Sequence, residues 1–64
     1  MFKEIFKTLE TEPVKLQTKK LNDDTNKYYT QEIKKESDNQ YYFWGYYKGI
    51  VTKATARKYI KELI

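Results

Sequence analysis

Six of the seven residues from Tyr41 to Tyr47 are aromatic (Tyr41, Tyr42, Phe43, Trp44, Tyr46 and Tyr47), and nothing else in the 64-residue chain restricts the fold so strongly. The side chains of a strand alternate between its two faces. Read as one strand to Val51, the run sends Tyr41, Phe43, Tyr47 and Val51 one way and Tyr42, Trp44, Tyr46, Lys48 and Ile50 the other. A chain this short buries only about 60% of the surface it exposes when unfolded, which suffices for one layer packed on another. Only one face of the strand can then be covered, and the other must present large aromatics to solvent. We expect Phe43 on the inner face, because Gly45 and Gly49 on that side would let a helix approach closely. Tyr42, Trp44 and Tyr46 then face outward beside Lys48.

The rest of the chain supplies the covering layer and the remaining strands. Phe2, Ile5, Phe6 and Leu9 form an apolar stripe at helical spacing. Glu12-Pro13 closes that helix, since the residue before proline is pushed out of the helical region. The period then becomes two: Val14, Leu16 and Thr18 alternate with Lys15, Gln17 and Lys19, as in a half-buried strand. Residues 21–27 form a polar turn, 27–35 a second strand and 37–40 a second turn, leading into the aromatic strand. Thr52 is placed to cap a helix over 53–64, with Ala56, Tyr59, Ile60, Leu63 and Ile64 on one side. The expectation is a single small α+β domain spanning 1–64. Its order is αβββα, a three-stranded antiparallel meander whose helices cover one face, with Leu16, Ile33, Phe43, Ile60 and Leu63 in the core.

Catalysis finds little footing. The chain has no Cys and no His, so thiolate chemistry, the commonest general base and the commonest metal ligand are missing. Asp23-Asp24 sits in a turn where Asp serves the backbone, and Ser37 has no histidine to activate it. Gly45 and Gly49 are isolated in a strand pattern and form no phosphate-cradling loop. The expectation is a non-enzymatic protein with no cofactor and no metal site. A mean hydropathy of −0.97, with no apolar run near 18 residues, also points away from a membrane span and towards a cytoplasmic protein. Lys supplies 12 of the 13 basic residues, and Tyr, Ile and Asn are plentiful while Gly, Pro and Ala are scarce. That bias fits an AT-rich genome, a phage or mobile element among them.

Charge narrows the reading further. The net +4 is concentrated in residues 41–64, where Lys48, Lys53, Arg57, Lys58 and Lys61 face Glu62 alone. Lys53, Arg57 and Lys61 recur every four residues, a single stripe on the last helix with Lys58 beside it, and like charges at that spacing repel. An anionic partner would relieve them. Three strands followed by a helix resemble, in element order, the arm-type DNA-binding domains of phage integrases; that resemblance implies a sheet laid in the major groove. The first expectation is therefore a nucleic-acid-binding protein, DNA favoured, contacting its ligand through Lys48, Lys53, Arg57, Lys58, Lys61, Tyr42, Trp44 and Tyr46. The alternative is a protein-binding module, such as an inhibitor or adaptor acting on a host protein, anchored by Tyr28, Tyr42, Trp44 and Tyr46. A homodimer that covers the outward aromatics is compatible with either.

Overall fold

The computed structural model describes residues 2–64; Met1 and the side chain of Phe2, which the helical stripe includes, lie outside the described residues. Two helices flank four strands: α1 (Phe2–Leu9), β1 (Val14–Asn22), β2 (Lys27–Ser37), β3 (Gln40–Trp44), β4 (Gly49–Val51) and α2 (Lys53–Leu63). The strands form one antiparallel sheet whose spatial order follows the chain, β1-β2-β3-β4. The class is α+β, as the alternation predicts, with one strand more than the three expected.

The extra strand comes from the aromatic segment. It does not run unbroken to Val51: β3 ends at Trp44, residues 45–48 turn, and β4 returns to pair with β3 through Tyr41–Val51, Tyr42–Ile50 and Phe43–Gly49. Both glycines take a positive φ, +145° at Gly45 and +112° at Gly49, which L side chains rarely adopt. Their role is therefore to fold the chain back, and no helix approaches through them. A Cβ on Gly45 would lie 2.5 Å from the Thr30 carbonyl oxygen and 2.9 Å from Gln31 Cα, both backbone atoms of β2. Around Gly49 there is open space.

Alternation places the core correctly along β2 and β3. Ile33, Tyr41 and Phe43 are buried on the inner face against Leu9 of α1 and Ala56 and Ile60 of α2, with Leu63 buried as well. Leu16 is only half-buried: it packs against the border of the core from the edge strand β1, which has a neighbouring strand on one side only. Helix α1 adds Ile5 and Phe6 to the core, and its end is tied down where Lys35 Nζ donates to Glu10 Oε2 at 2.7 Å. That hydrogen bond, and the charge behind it, holds the Glu10 carboxyl below the usual carboxylate range and pushes the Lys35 ammonium up. Helix α2 starts on two caps. Thr52 Oγ1 accepts from the Thr55 N–H, and the Asn39 side-chain oxygen, in the β2–β3 turn, accepts from the Lys53 N–H.

Strand β1 carries a bulge. Its pairing with β2 passes from Gln17–Thr30 to Leu21–Tyr28, so three residues of β1 oppose one of β2. Thr18 stabilises the extra loop. Its buried hydroxyl accepts from the Lys20 N–H and donates to the Lys20 carbonyl. The β1–β2 turn spans residues 23–26. Asn22 Oδ1 accepts from the Asp24 N–H and Asn26 takes φ +57°, so the acidic pair serves the turn.

Candidate functional site

Both helices pack on the inner face, so the opposite face of the sheet is open. Register fixes its contents. One row across the strands reads Lys15–Glu32–Trp44, the next Lys34–Tyr42–Ile50, and toward the β1–β2 turn come Gln17–Thr30 and Leu21–Tyr28. Trp44 is 51% exposed, Tyr28 52% and Ile50 60%. The charged groups of the face are interleaved. Lys15 pairs with Glu32 at 3.4 Å and Lys34 with Glu36 at 3.6 Å, both in solvent-exposed positions where such pairs add little stability. Lys48 leaves the 45–48 turn to lie with Nζ 5.0 Å from the centre of the Trp44 ring, a cation–π contact, and joins no ion pair among the described residues.

Sequence alternation assigns Tyr42 and Trp44 to this face correctly but misplaces Tyr46. Because the chain turns at Gly45, the Tyr46 ring swings away and packs edge-on against Tyr29 at 5.2 Å and Tyr47 at 5.0 Å. Tyr47 in turn stacks on Tyr59 of α2 at 3.8 Å, and Tyr59 meets Phe43 edge-on at 5.5 Å. Five aromatics thus form a continuous zip on the helix side. They brace the turn that holds Lys48 over Trp44.

A residue that sequence reasoning missed locks the same turn. Gln31 is fully buried, and its side-chain amide substitutes for a strand partner. Oε1 accepts from the Tyr47 N–H at 2.8 Å, while Nε2 donates to the Tyr47 carbonyl at 2.9 Å and to the Glu32 carbonyl at 3.1 Å. The Tyr47 hydroxyl donates to the Glu62 carboxylate. That bond, helped by burial, pushes its pKa up to about 12. The available signal was parity: position 31 lies on the same side as Ile33, and a polar group facing a core must find partners.

The basic residues of α2 lie elsewhere. Lys53, Arg57, Lys58 and Lys61 are exposed on a helix that covers the inner face, so the sheet separates them from Trp44 and Tyr42. Lys53 and Arg57, with Lys3 and Phe6, line a shallow groove between the helices, where Lys53 Nζ is 5.9 Å from the Phe6 ring centre. The residues proposed from sequence therefore divide into two surfaces. Lys48, Tyr42, Trp44 and Tyr28 share the open sheet face, and the α2 cations share the back. Tyr46 belongs to neither.

No family model, curated protein or solved structure matches this chain. Among the described residues no group of three or more acidic side chains is placed to hold a metal ion. No helix among them is long and apolar enough to cross a membrane.

Proposed function

We propose that this protein is a non-enzymatic nucleic-acid-binding module whose contact surface is the open face of the sheet. The observation that carries the reading is the pairing of stacking surface with positive charge on one uncovered face: Trp44, Tyr42 and Tyr28 beside Lys48, Lys34 and Lys15. Aromatic rings offer bases a sequence-tolerant stacking platform, and lysines neutralise phosphates with release of counterions. The +4 net charge favours the approach of a polyanion. On this reading the α2 cations Lys53, Arg57, Lys58 and Lys61 strengthen the overall field from behind.

The alternative, a protein partner on the same face, is favoured by one specific observation. The two carboxylates there match two of its lysines, while Ile50 and Leu21 expose aliphatic surface that a nucleic acid does not need. Salt separates the two. Titrating a labelled oligonucleotide at 50 and 200 mM salt, with the wild type, a Lys34→Ala/Lys48→Ala variant and a Lys58→Ala/Lys61→Ala variant, tests the proposal. It expects affinity to fall steeply with salt and the sheet-face variant to lose most. No association tighter than about 10⁻⁴ M at low salt, weaker than ordinary non-specific binding, would end the nucleic-acid reading.

A further inference from the structure

Resting on the nucleic-acid reading, we propose that the ligand of the open face is a single strand, held by base stacking, and not a duplex entered through its major groove. Three features of the face support this. The first is width. The fourth strand sets the outer strand axes about 14 Å apart, three spacings of about 4.8 Å. The major groove is about 12 Å wide and admits a helix or a two-stranded ribbon. Ile50, standing 60% exposed on β4, widens the face further.

The second feature is the absence of groove readers. Arginine gives the commonest specific base contact in a duplex. The chain has one arginine, Arg57, and it lies on α2 across the sheet from this face.

The third is the spacing of the rings. Tyr42 and Trp44 stand two residues apart on one strand and share its open face, so their Cα atoms are about 6.6 Å apart along the strand. This is roughly twice the 3.4 Å interval of stacked bases, so neighbouring bases must unstack to meet both rings. An unpaired strand does that readily, whereas a duplex must first be opened. From Tyr42, opposite Lys34, the track passes Trp44 and runs along β2 to Tyr28, six residues or about 20 Å away. At about 3.4 Å per stacked and about 6.6 Å per splayed nucleotide, this length holds about three to six nucleotides. Charge complementarity is local too. Lys48, over the Trp44 ring, sets a cation beside the strongest stacking platform, within reach of the phosphate of the base that stacks there.

Trp44 is the only tryptophan, so its fluorescence reports on the site directly. The test titrates the full chain with oligothymidylates of two to ten nucleotides and with a duplex of ten base pairs, following Trp44 emission and the anisotropy of a labelled strand. The proposal expects Trp44 quenching, affinity that rises with length to about three to six nucleotides and then levels, and single-strand binding at least tenfold tighter than duplex binding. Trp44→Ala should weaken single-strand binding about five- to hundredfold, with Trp44→Phe recovering part of it. Duplex binding equal to or tighter than single-strand binding overturns this inference and leaves the nucleic-acid reading standing. Single-strand binding that Trp44→Ala leaves unchanged overturns it as well. Failure of both ligands to bind at low salt overturns this inference and the nucleic-acid reading together.

Discussion

Replacing Gln31 with methionine tests whether the 45–48 turn is held by that single buried amide. Methionine keeps the length and packing of the side chain and removes all of its hydrogen bonds. Two of those bonds reach the backbone of Tyr47, at 2.8 and 2.9 Å. A net intramolecular hydrogen bond contributes about 0.5–1.5 kcal/mol, and a buried group left without a partner costs about 1–3 kcal/mol. The Tyr47 N–H and carbonyl are only partly buried and regain some water, so Gln31→Met should cost about 2 kcal/mol. For a domain of this size that corresponds to a fall of about 8–16 °C in Tm. It is a large part of a total stability of about 3–10 kcal/mol for 64 residues. Urea denaturation followed by circular dichroism measures the stability, and Trp44 emission in the native state reports whether Lys48 has left the indole. Gln31→Glu adds a sign. Its carboxylate can accept from the Tyr47 N–H, but it faces the Tyr47 and Glu32 carbonyls without a proton to donate. Burial there raises its folded pKa, so this variant should gain stability as pH falls and its acid form regains a donor. A Gln31→Met protein within about 0.5 kcal/mol of the wild type would refute the reasoning, and the aromatic zip alone would then have to hold the turn.

Gly45→Ala should be more damaging still, on the order of 3 kcal/mol or more. It combines a positive-φ penalty with a methyl group driven against the β2 backbone, and its Tm should fall below that of Gly49→Ala. Gly49→Ala meets no atom and should cost about 1–3 kcal/mol from φ alone, measured in the same melts. Because the folded pKa of Tyr47 is raised from 10 to about 12, its bond to Glu62 contributes stability below pH 10 that is lost as pH rises through 12. Tyr47→Phe should therefore be less stable than the wild type at pH 8, with the difference shrinking above pH 11 in parallel denaturation curves. Ile33→Ala, at a fully buried position between α1, α2 and β3, should cost about 2–5 kcal/mol and leave little folded protein at 37 °C.

Much of the fold is legible in the residues because two periods dominate the sequence. Val14 to Lys19 alternate cleanly, residues 28–33 are rich in strand formers between two polar turns, and Ala56, Ile60 and Leu63 recur at helical spacing, so strands, helices and most of the core follow. The error over three strands or four has a local cause. An aromatic run through Gly45 keeps its alternation on paper, but both glycines adopt φ values that a strand does not use, and the chain reverses between them. Beyond Trp44 the paper alternation fails only at Tyr46: Tyr47 and Val51 still face the helices, and Lys48 and Ile50 still face outward. The two halves of the candidate site were each visible as residue patterns, one as aromatics with Lys48 and the other as the α2 lysines. That they lie back to back follows from placing both helices on the inner face, but a charge tally along the chain joins the two patterns into one site all the same.

The order of the strands also bears on how the molecule reaches this shape. Each strand pairs with its neighbours in sequence, so the sheet can zip from one hairpin to the next, and short loops are cheap to close. We expect the docking of α2 to come last. The helix must swing back over the meander, touching β1 at the far edge as well as β3, before Ile60 joins Phe43 in the core. Chains rich in such local pairings fold quickly for their content of strand. In this one the aromatic ladder through Tyr47 and Tyr59 acts as the latch. The open sheet face can thus be complete in outline while the back of the molecule is still unsealed, and mutations in α2 should speed unfolding more than they slow folding.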